Sequence, residues 1–240
     1  FQVMADRHEV HVLGERECSI QRRHQKLLEE TPSPGLQGES GGRLRKTVVE
    51  RIKAACKALN YRGAGTVEML YDPSGHLYFM EMNTRLQVEH TVTEMVTGVD
   101  LVQAQLEVAA NRTVGPFDPP EGWSIQCRIN AEDSTKGFRP QPGVLNRFEV
   151  PAGDGIRVDT HLQEGDAVSP HYDSMIAKVI STGKDRMEAI ERMRSALSSF
   201  RVEGVPTTID FHRRLLNHPE FIAGRTDTGF LERELKELLG

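Results

Sequence analysis

Two glutamates and an asparagine have the types and spacing most suggestive of chemistry. Glu68 closes the run Gly63-Ala64-Gly65-Thr66-Val67-Glu68, and Glu81 and Asn83 flank Met82 thirteen residues further on. The segments Thr66 to Tyr71 and His76 to Asn83 read as antiparallel strands around the turn Asp72-Pro73-Ser74-Gly75. A two-residue loop at Ser74-Gly75 pairs Pro73 with His76 and sets Glu68 opposite Glu81. Opposed residues have Cβ atoms roughly 4.5–5.5 Å apart, so two carboxylates there repel unless something positive sits between them. Asn83 falls on the face of Glu81, two residues along. Two carboxylates and an amide suit a hard cation such as Mg²⁺, which takes few carboxylates and fills its shell with phosphate oxygens and water. The competing reading is a solvated polar sheet face.

The same alternation continues through Arg85, Gln87 and Glu89. If the chain stays extended to His90, these side chains share the face of Glu81. Arg85 then offers a planar fork for a carboxylate-like or carbonate-like anion, and Glu89 a base for a proton on that anion. An ordinary surface salt-bridge ladder has the same spacing. A basic run, Gln21-Arg22-Arg23-His24-Gln25-Lys26, offers charge for phosphate or carbonate. A solvated face is its alternative, and interleaved aromatics, the mark of a nucleic-acid patch, are lacking.

Several elements must position these groups. Val10 to Gly14 reads as a short strand, and Pro32, Pro34, Gly35, Gly38, Gly41 and Gly42 as a flexible loop. Val48, Val49, Ile52, Ala55, Cys56 and Leu59 have helical spacing. Thr91-Val92-Thr93-Glu94 fits a capping box for a short helix that Gly98 ends, and Asp100 caps a second helix to about Ala110. Pro116, Pro119, Pro120 and Gly122 mark an internal boundary. Beyond it, Ser124 to Asn130, Val144 to Val150, Ile156 to Leu162 and Met175 to Thr182 read as strands, Lys184 to Phe200 as an amphipathic helix, and Thr208 to Asn217 and Leu231 to Leu239 as helices.

Composition narrows the function classes. Apolar residues make up 38% of the 240, enough for a packed core, and the net charge of −5 offers no general attraction to nucleic acid or anionic membranes. No apolar run approaches the roughly 20 residues of a membrane span. Cys18, Cys56 and Cys127 are too widely spaced for a disulfide framework or a CxxC zinc site, which points to the cytoplasm, with all three as buried small residues. His8, His11, His161 and His171 lack metal-ligand spacing and read as core or surface residues, and Trp123 reads as core. Phe1 stands where an initiator methionine would, which suggests a fragment of a longer chain.

Five motifs, in order, resemble those of the biotin carboxylases of the ATP-grasp superfamily. They are Glu15-Arg16-Glu17-Cys18-Ser19-Ile20-Gln21-Arg22-Arg23-His24-Gln25-Lys26, Tyr61 to Glu68, Glu81 to His90, Cys127 to Asp133, and Tyr172 to Lys178. The resemblance covers essentially the whole chain. It implies an α+β chain: the C-terminal half of an ATP-grasp fold, an antiparallel sheet with helices, over 1–114, and the family's α+β C-terminal domain over 115–240. It implies Glu68, Glu81 and Asn83 as ligands of Mg²⁺ or Mn²⁺ on ATP, and Gln21 and His24 as nucleotide contacts. Lys26, Arg85, Gln87 and Val88, the last through its backbone, match the bicarbonate site. Glu89 matches the base that prepares bicarbonate for attack on the γ-phosphate, and Arg128 the cation that steadies the biotin enolate oxygen.

The activity implied is ATP- and bicarbonate-dependent carboxylation of biotin on a biotin carboxyl carrier protein through carboxyphosphate, as part of an acetyl-CoA or related acyl-CoA carboxylase. Carboxyltransferase subunits are then further partners, and homodimerisation is common in the family; neither nucleic acid nor membrane is an expected partner. Two departures stand out. The family's N-terminal α/β domain and its lid with a glycine-rich loop are not in this sequence, so the chain alone is expected to bind ATP weakly and to be inactive or nearly so. The stretch Gln37 to Arg43 is glycine-rich where relatives often have a tighter connection. Two rivals remain: another ATP-grasp carboxylate ligase, and a non-catalytic remnant that docks the carrier or a partner subunit.

Overall fold

The computed structural model describes residues 1–239. The chain forms two compact units, each with its own core. The first comprises Phe1–Glu17 and Thr31–Glu121; the second comprises Cys18–Glu30 and the chain from Gly122 onward. The architecture is α+β with antiparallel strand pairing, and seven α-helices lie among the described residues.

In the first unit a four-stranded sheet runs Val10–Val12, Gln2–Ala5, Gly63–Tyr71, Leu77–Asn83 in spatial order. The helix Gly38–Ala58 buries Val48, Ile52 and Cys56 against Val3, Ala5 and Val67. Leu59, expected on the same stripe, lies beyond the helix end and is 72% exposed. Gly65 makes room for a close crossing in the sheet. A Cβ there would lie 2.6 Å from the Tyr61 hydroxyl and 2.8 Å from Met82 Cε. Only a residue without one lets Tyr61 reach across to donate to the Ala64 carbonyl at 2.8 Å.

The expected glycine-rich loop is not a loop. Pro34–Leu36 forms a short 3₁₀ turn, and Gly38, Gly41 and Gly42 lie within the helix that follows. Packing explains Gly41: a Cβ on it would come within 2.3 Å of the Leu36 carbonyl oxygen, so glycine is what lets the turn fold onto the helix. Glu15 secures the junction. It accepts two hydrogen bonds from Arg45, at 2.7 and 2.6 Å, and one from the Ser33 N–H at 3.2 Å.

The capping-box expectation also fails. The helix His90–Thr97 begins before Thr91 and has no side-chain cap at its start. Glu94 instead accepts from the Leu101 N–H at 2.8 Å, linking this helix to the next. Gly98 ends the first helix in the left-handed region at φ 68°, and Asp100 caps Leu101–Ala109 through the Gln103 N–H, both as expected.

In the second unit a four-stranded sheet runs Ile156–Asp159, Met175–Gly183, Trp123–Asn130, Leu28–Thr31. Arg186–Ser199 packs Ile190, Met193 and Leu197 into the core beside Ile125, Cys127 and Ile129. Met187, expected on that stripe, is partly exposed. The expected strand Val144 to Val150 is split into Gly143–Val144 and Arg147–Glu149, because Leu145 and Asn146 turn their N–H groups to Asp166 and Glu203. The helix Ile209–Leu215 follows the expected Thr208 to Asn217 segment, and Phe230–Leu239 the expected terminal helix.

Candidate functional site

Glu68 and Glu81 are cross-strand partners, as are Thr66 and Asn83. The route to that pairing differs from the one expected. Near the turn Met69 faces Phe79 and Tyr71 faces Leu77, one residue out of step with the two-residue-loop register. The Asp72 N–H bonds the His76 carbonyl, so the loop is Pro73-Ser74-Gly75, with Gly75 at φ 90°. A bulge between Glu68 and Met69 then absorbs one residue of the partner strand, Met80, and brings the two glutamates opposite each other. Asp72 is a structural member of this turn. Hydrogen bonds from the His76 N–H and the Ser74 hydroxyl pull its carboxyl down to about 2.

The amide of Asn83 lies between the two carboxylates, donating to Glu81 at 3.0 Å and to Glu68 at 3.2 Å. Gln87 donates to Glu68 at 2.7 Å, although the strand ends at Asn83 and the chain bends at Arg85 and turns at Val88 and Glu89. The uninterrupted extended face through Glu89 is therefore not formed. Gln87 reaches the cluster through the bend, whereas Arg85 is exposed and its guanidinium bonds the Leu86 carbonyl, at 3.3 Å. Val88 is half-buried, and Glu89 is buried at 2% exposure just before the helix His90–Thr97.

Arg16, which spacing did not single out, orients this group. Its guanidinium donates to the side chains of Gln2, Thr93, Thr66 and Gln87 at 2.7 to 3.1 Å. Because Gln87 gives its carbonyl to Arg16, its NH₂ must face Glu68. Two carboxylates on opposed strands, with an amide whose rotation would present its oxygen, are a fitting donor set for a hard divalent cation.

In the second unit Arg128 is anchored at both ends. Its side chain donates to Glu29 from Nε at 2.6 Å and pairs with Glu29 again from Nη2. Glu29 is fully buried and also accepts from Gln126 at 2.9 Å. The Arg128 carbonyl takes the Thr208 hydroxyl at 3.0 Å and His212 Nε2 at 2.8 Å. Burial pushes His212 down to about 4, so it is neutral at pH 7, with its proton on Nε2. Lys178 sits opposite Arg128 in the sheet, and Asp159 meets it at 3.2 Å. The neighbouring Glu30 plays a structural part, binding Trp123 at 2.7 Å and Arg186 at 2.7 and 2.9 Å. Trp123 is a core residue, as expected. Glu29 was missed from the sequence because its partner lies 99 residues away.

The basic run folds as a hairpin in this unit. Gln21 pairs with Lys26 and Arg22 with Gln25, so Gln21 and Lys26 share one face and Arg22 and Gln25 the other. Arg23 and His24 form its turn with positive φ, 49° and 65°, a strained choice where asparagine and glycine are usual. The run therefore does not present one continuous cationic surface. Arg22 turns to Glu132 at 3.3 Å and stacks 4.9 Å from the centre of the Phe138 ring.

The cysteines are free; Cys56 and Cys127 are buried, whereas Cys18 is half-exposed. One further group of potential ligands, His218, Glu234 and Glu237, has its ligand atoms within 4.8 Å of one another. His218 Nδ1 accepts from the Glu220 N–H at 3.3 Å, which caps the short helix Pro219–Ile222. The neutral ring then carries its proton on Nε2, facing the two carboxylates, and is a hydrogen-bond donor there rather than a ligand. Among the described residues no helix is long and apolar enough to cross a membrane.

Residues 1–116 match the ATP-binding domain of the carbamoyl-phosphate synthase L chain family, and residues 126–233 match the biotin carboxylase C-terminal domain. The chain is 52% identical to biotin carboxylase 1 of Bacillus subtilis over 97% of its own length and 52% of that protein's. It is 48% identical to the biotin carboxylase of a Nostoc species, again over 97% and 52%. Its structure superposes on the biotin carboxylase subunit of a pyruvate carboxylase with a TM-score of 0.95 at 44% identity, covering 100% of this chain and 53% of that one. The biotin carboxylase domain dimer of Hydrogenobacter thermophilus 2-oxoglutarate carboxylase, in complex with MgADP, ADP and bicarbonate, gives 0.94 at 43% identity, covering 100% and 53%. Matched by two adjoining family domains and by curated members of which it spans about half the length, the chain belongs to the biotin carboxylase family.

Proposed function

We propose that this chain carries the metal-ligand half of a biotin carboxylase. The reaction is ATP- and bicarbonate-dependent carboxylation of biotin on a carrier protein, through carboxyphosphate, within an acetyl-CoA or related acyl-CoA carboxylase. The observation that carries the proposal is the Glu68–Glu81 pair, bridged by Asn83 and supported by Gln87. Opposed carboxylates cost stability unless a cation joins them, and the 2-oxoglutarate carboxylase relative binds MgADP and bicarbonate.

In this proposal Glu68, Glu81 and Asn83 hold Mg²⁺ or Mn²⁺, which when bound neutralises charge on the phosphates. Gln21 and His24 contact the nucleotide. Arg85, Gln87, the Val88 backbone and Lys26 serve bicarbonate, with Arg85 supplying a planar fork for its oxygens. Glu89 takes the bicarbonate proton as the oxygen attacks the γ-phosphate. Its burial at 2% keeps competing water from the carboxylate. Arg128, held by Glu29, steadies the biotin enolate oxygen while the ring nitrogen attacks CO₂. The carrier and the carboxyltransferase subunits are the partners of the whole protein, homodimerisation is part of the proposal, and the compartment is the cytoplasm. Residues 1–114 and 115–240 are proposed as the ATP-grasp portion and the C-terminal domain.

The test is biotin-stimulated, bicarbonate-dependent ATP hydrolysis by the full-length protein carrying Arg128→Ala. The proposal expects biotin carboxylation to vanish while some ATP hydrolysis remains. Equal loss of both overturns the role of Arg128, and carrier binding by the unsubstituted protein without any hydrolysis identifies a docking module instead.

A further inference from the structure

The second unit contains a cavity of about 580 Å³ on the face of the Gln21–Lys26 hairpin that carries Arg22 and Gln25, opposite the face of Gln21 and Lys26. Four cations line it, Arg22, Arg23, Lys136 and Arg139, against two carboxylates, Glu132 and Asp173. In a chain of net charge −5 that is a local reversal of sign. Some of the charge is already matched. Arg22 meets Glu132, which also accepts from the Ser174 hydroxyl at 2.6 Å, and Lys136 meets Asp133 at 2.9 Å. Arg23 and Arg139 are exposed, and neither side chain has an ion-pair partner among the described residues.

Three further observations point to a ligand. Arg22 Nε is buried without a hydrogen-bond partner. Arg23 and Phe138, both on the cavity wall, hold φ at 49° and 59°, a conformation non-glycine residues rarely adopt and one that concentrates at binding sites. Tyr172 lies at the wall with 84% of its surface exposed. The volume falls within the range of small-molecule sites, roughly 300–1,000 Å³, and is larger than a lone phosphate needs.

We propose that this cavity binds a metabolite-sized polyanion. Two carboxylate or phosphate groups engage the guanidinium forks of Arg23 and Arg139, and an apolar body lies against the exposed ring of Tyr172. The site stands apart from the assignments to Gln21 and Lys26 and does not depend on them. Titration calorimetry at low ionic strength tests it, with 4-carboxyphenyl phosphate and citrate as probes. The substitutions Arg23→Asn, which keeps a residue tolerant of positive φ, and Arg139→Ser are made together, and circular dichroism checks the fold. The proposal expects both probes to bind more tightly than sulfate. The double substitution weakens them about tenfold or more, Tyr172→Ala weakens the aryl probe more than citrate, and Lys26→Ala changes neither by more than about twofold. Binding unchanged by the double substitution overturns the proposal, as does wild-type affinity no greater than that for sulfate.

Discussion

Replacing Glu29 by glutamine removes one carboxylate and keeps its size. Glu29 is fully buried and accepts from Arg128 Nε at 2.6 Å and from Gln126 at 2.9 Å. Glutamine presents one acceptor oxygen and an NH₂ that must face another donor, and it leaves the largely buried Arg128 without this counter-charge. Removing one partner of a buried ion pair costs about 3–5 kcal/mol, mostly from the charge left behind. At about 2–4 °C per kcal/mol, even the lower figure lowers the melting temperature of the second unit by about 6–12 °C. Differential scanning calorimetry of the chain reads this directly. A shift below about 2 °C would refute the reasoning that Glu29 neutralises Arg128. In the full-length protein the same substitution should reduce biotin carboxylation more than bicarbonate-dependent ATP hydrolysis, since Arg128 is assigned to the former.

Three other outcomes follow from particular contacts. Arg16→Lys loses the fork that orients Gln87, and manganese affinity should fall about tenfold or more, as for other residues that orient metal ligands; unchanged affinity by titration would contradict the orienting role. Gly65→Ala places a methyl against Tyr61 and Met82 and should destabilise the first unit by about 1–3 kcal/mol in urea unfolding, with partial recovery on adding Tyr61→Ala. His212, held near 4 by burial against an ordinary 6.5, takes up its proton more readily when unfolded. Stability is therefore complete above about pH 6.5 and declines by roughly 3 kcal/mol as pH falls to about 4. His212→Gln should flatten this acid limb, and an identical pH profile would assign the decline to other groups.

Local patterns in the sequence carried much of this. Asp100, Gly98 and the buried stripe Ile190, Met193, Leu197 behave as propensity and periodicity say. The glutamate pair was legible too, but the two-residue loop used to derive it is three residues long, and a bulge at Met80 restores the register. A bulge leaves no periodic trace, since one extra residue looks like any other. Gly41 misled because glycine signals a loop unless a close backbone approach demands it, and here the approach is to the Leu36 carbonyl of the preceding turn; Gly38 opens the helix at φ 75°, and at Gly42 a Cβ would meet nothing within 4 Å, so packing gives no reason for glycine there. Glu94 misled because its capping partner, Leu101, follows it where a capping-box partner precedes it. Arg16 and Glu29 escaped notice for a related reason. Their partners Gln87 and Arg128 lie 71 and 99 residues away, and no spacing rule reaches that far. Nor does periodicity assign Cys18–Glu30 to the second unit, a consequence of the Leu28–Thr31 strand joining that unit's sheet.

Manganese titrated into the chain and followed by electron paramagnetic resonance, with Glu81→Gln in parallel, reads the Glu68–Glu81 site itself. The unsubstituted chain should show a bound Mn²⁺ population that Glu81→Gln lowers about tenfold or more, with the first unit's melting temperature raised by metal in the former only. Equal manganese binding by both proteins would contradict the assignment of Glu81 as a metal ligand.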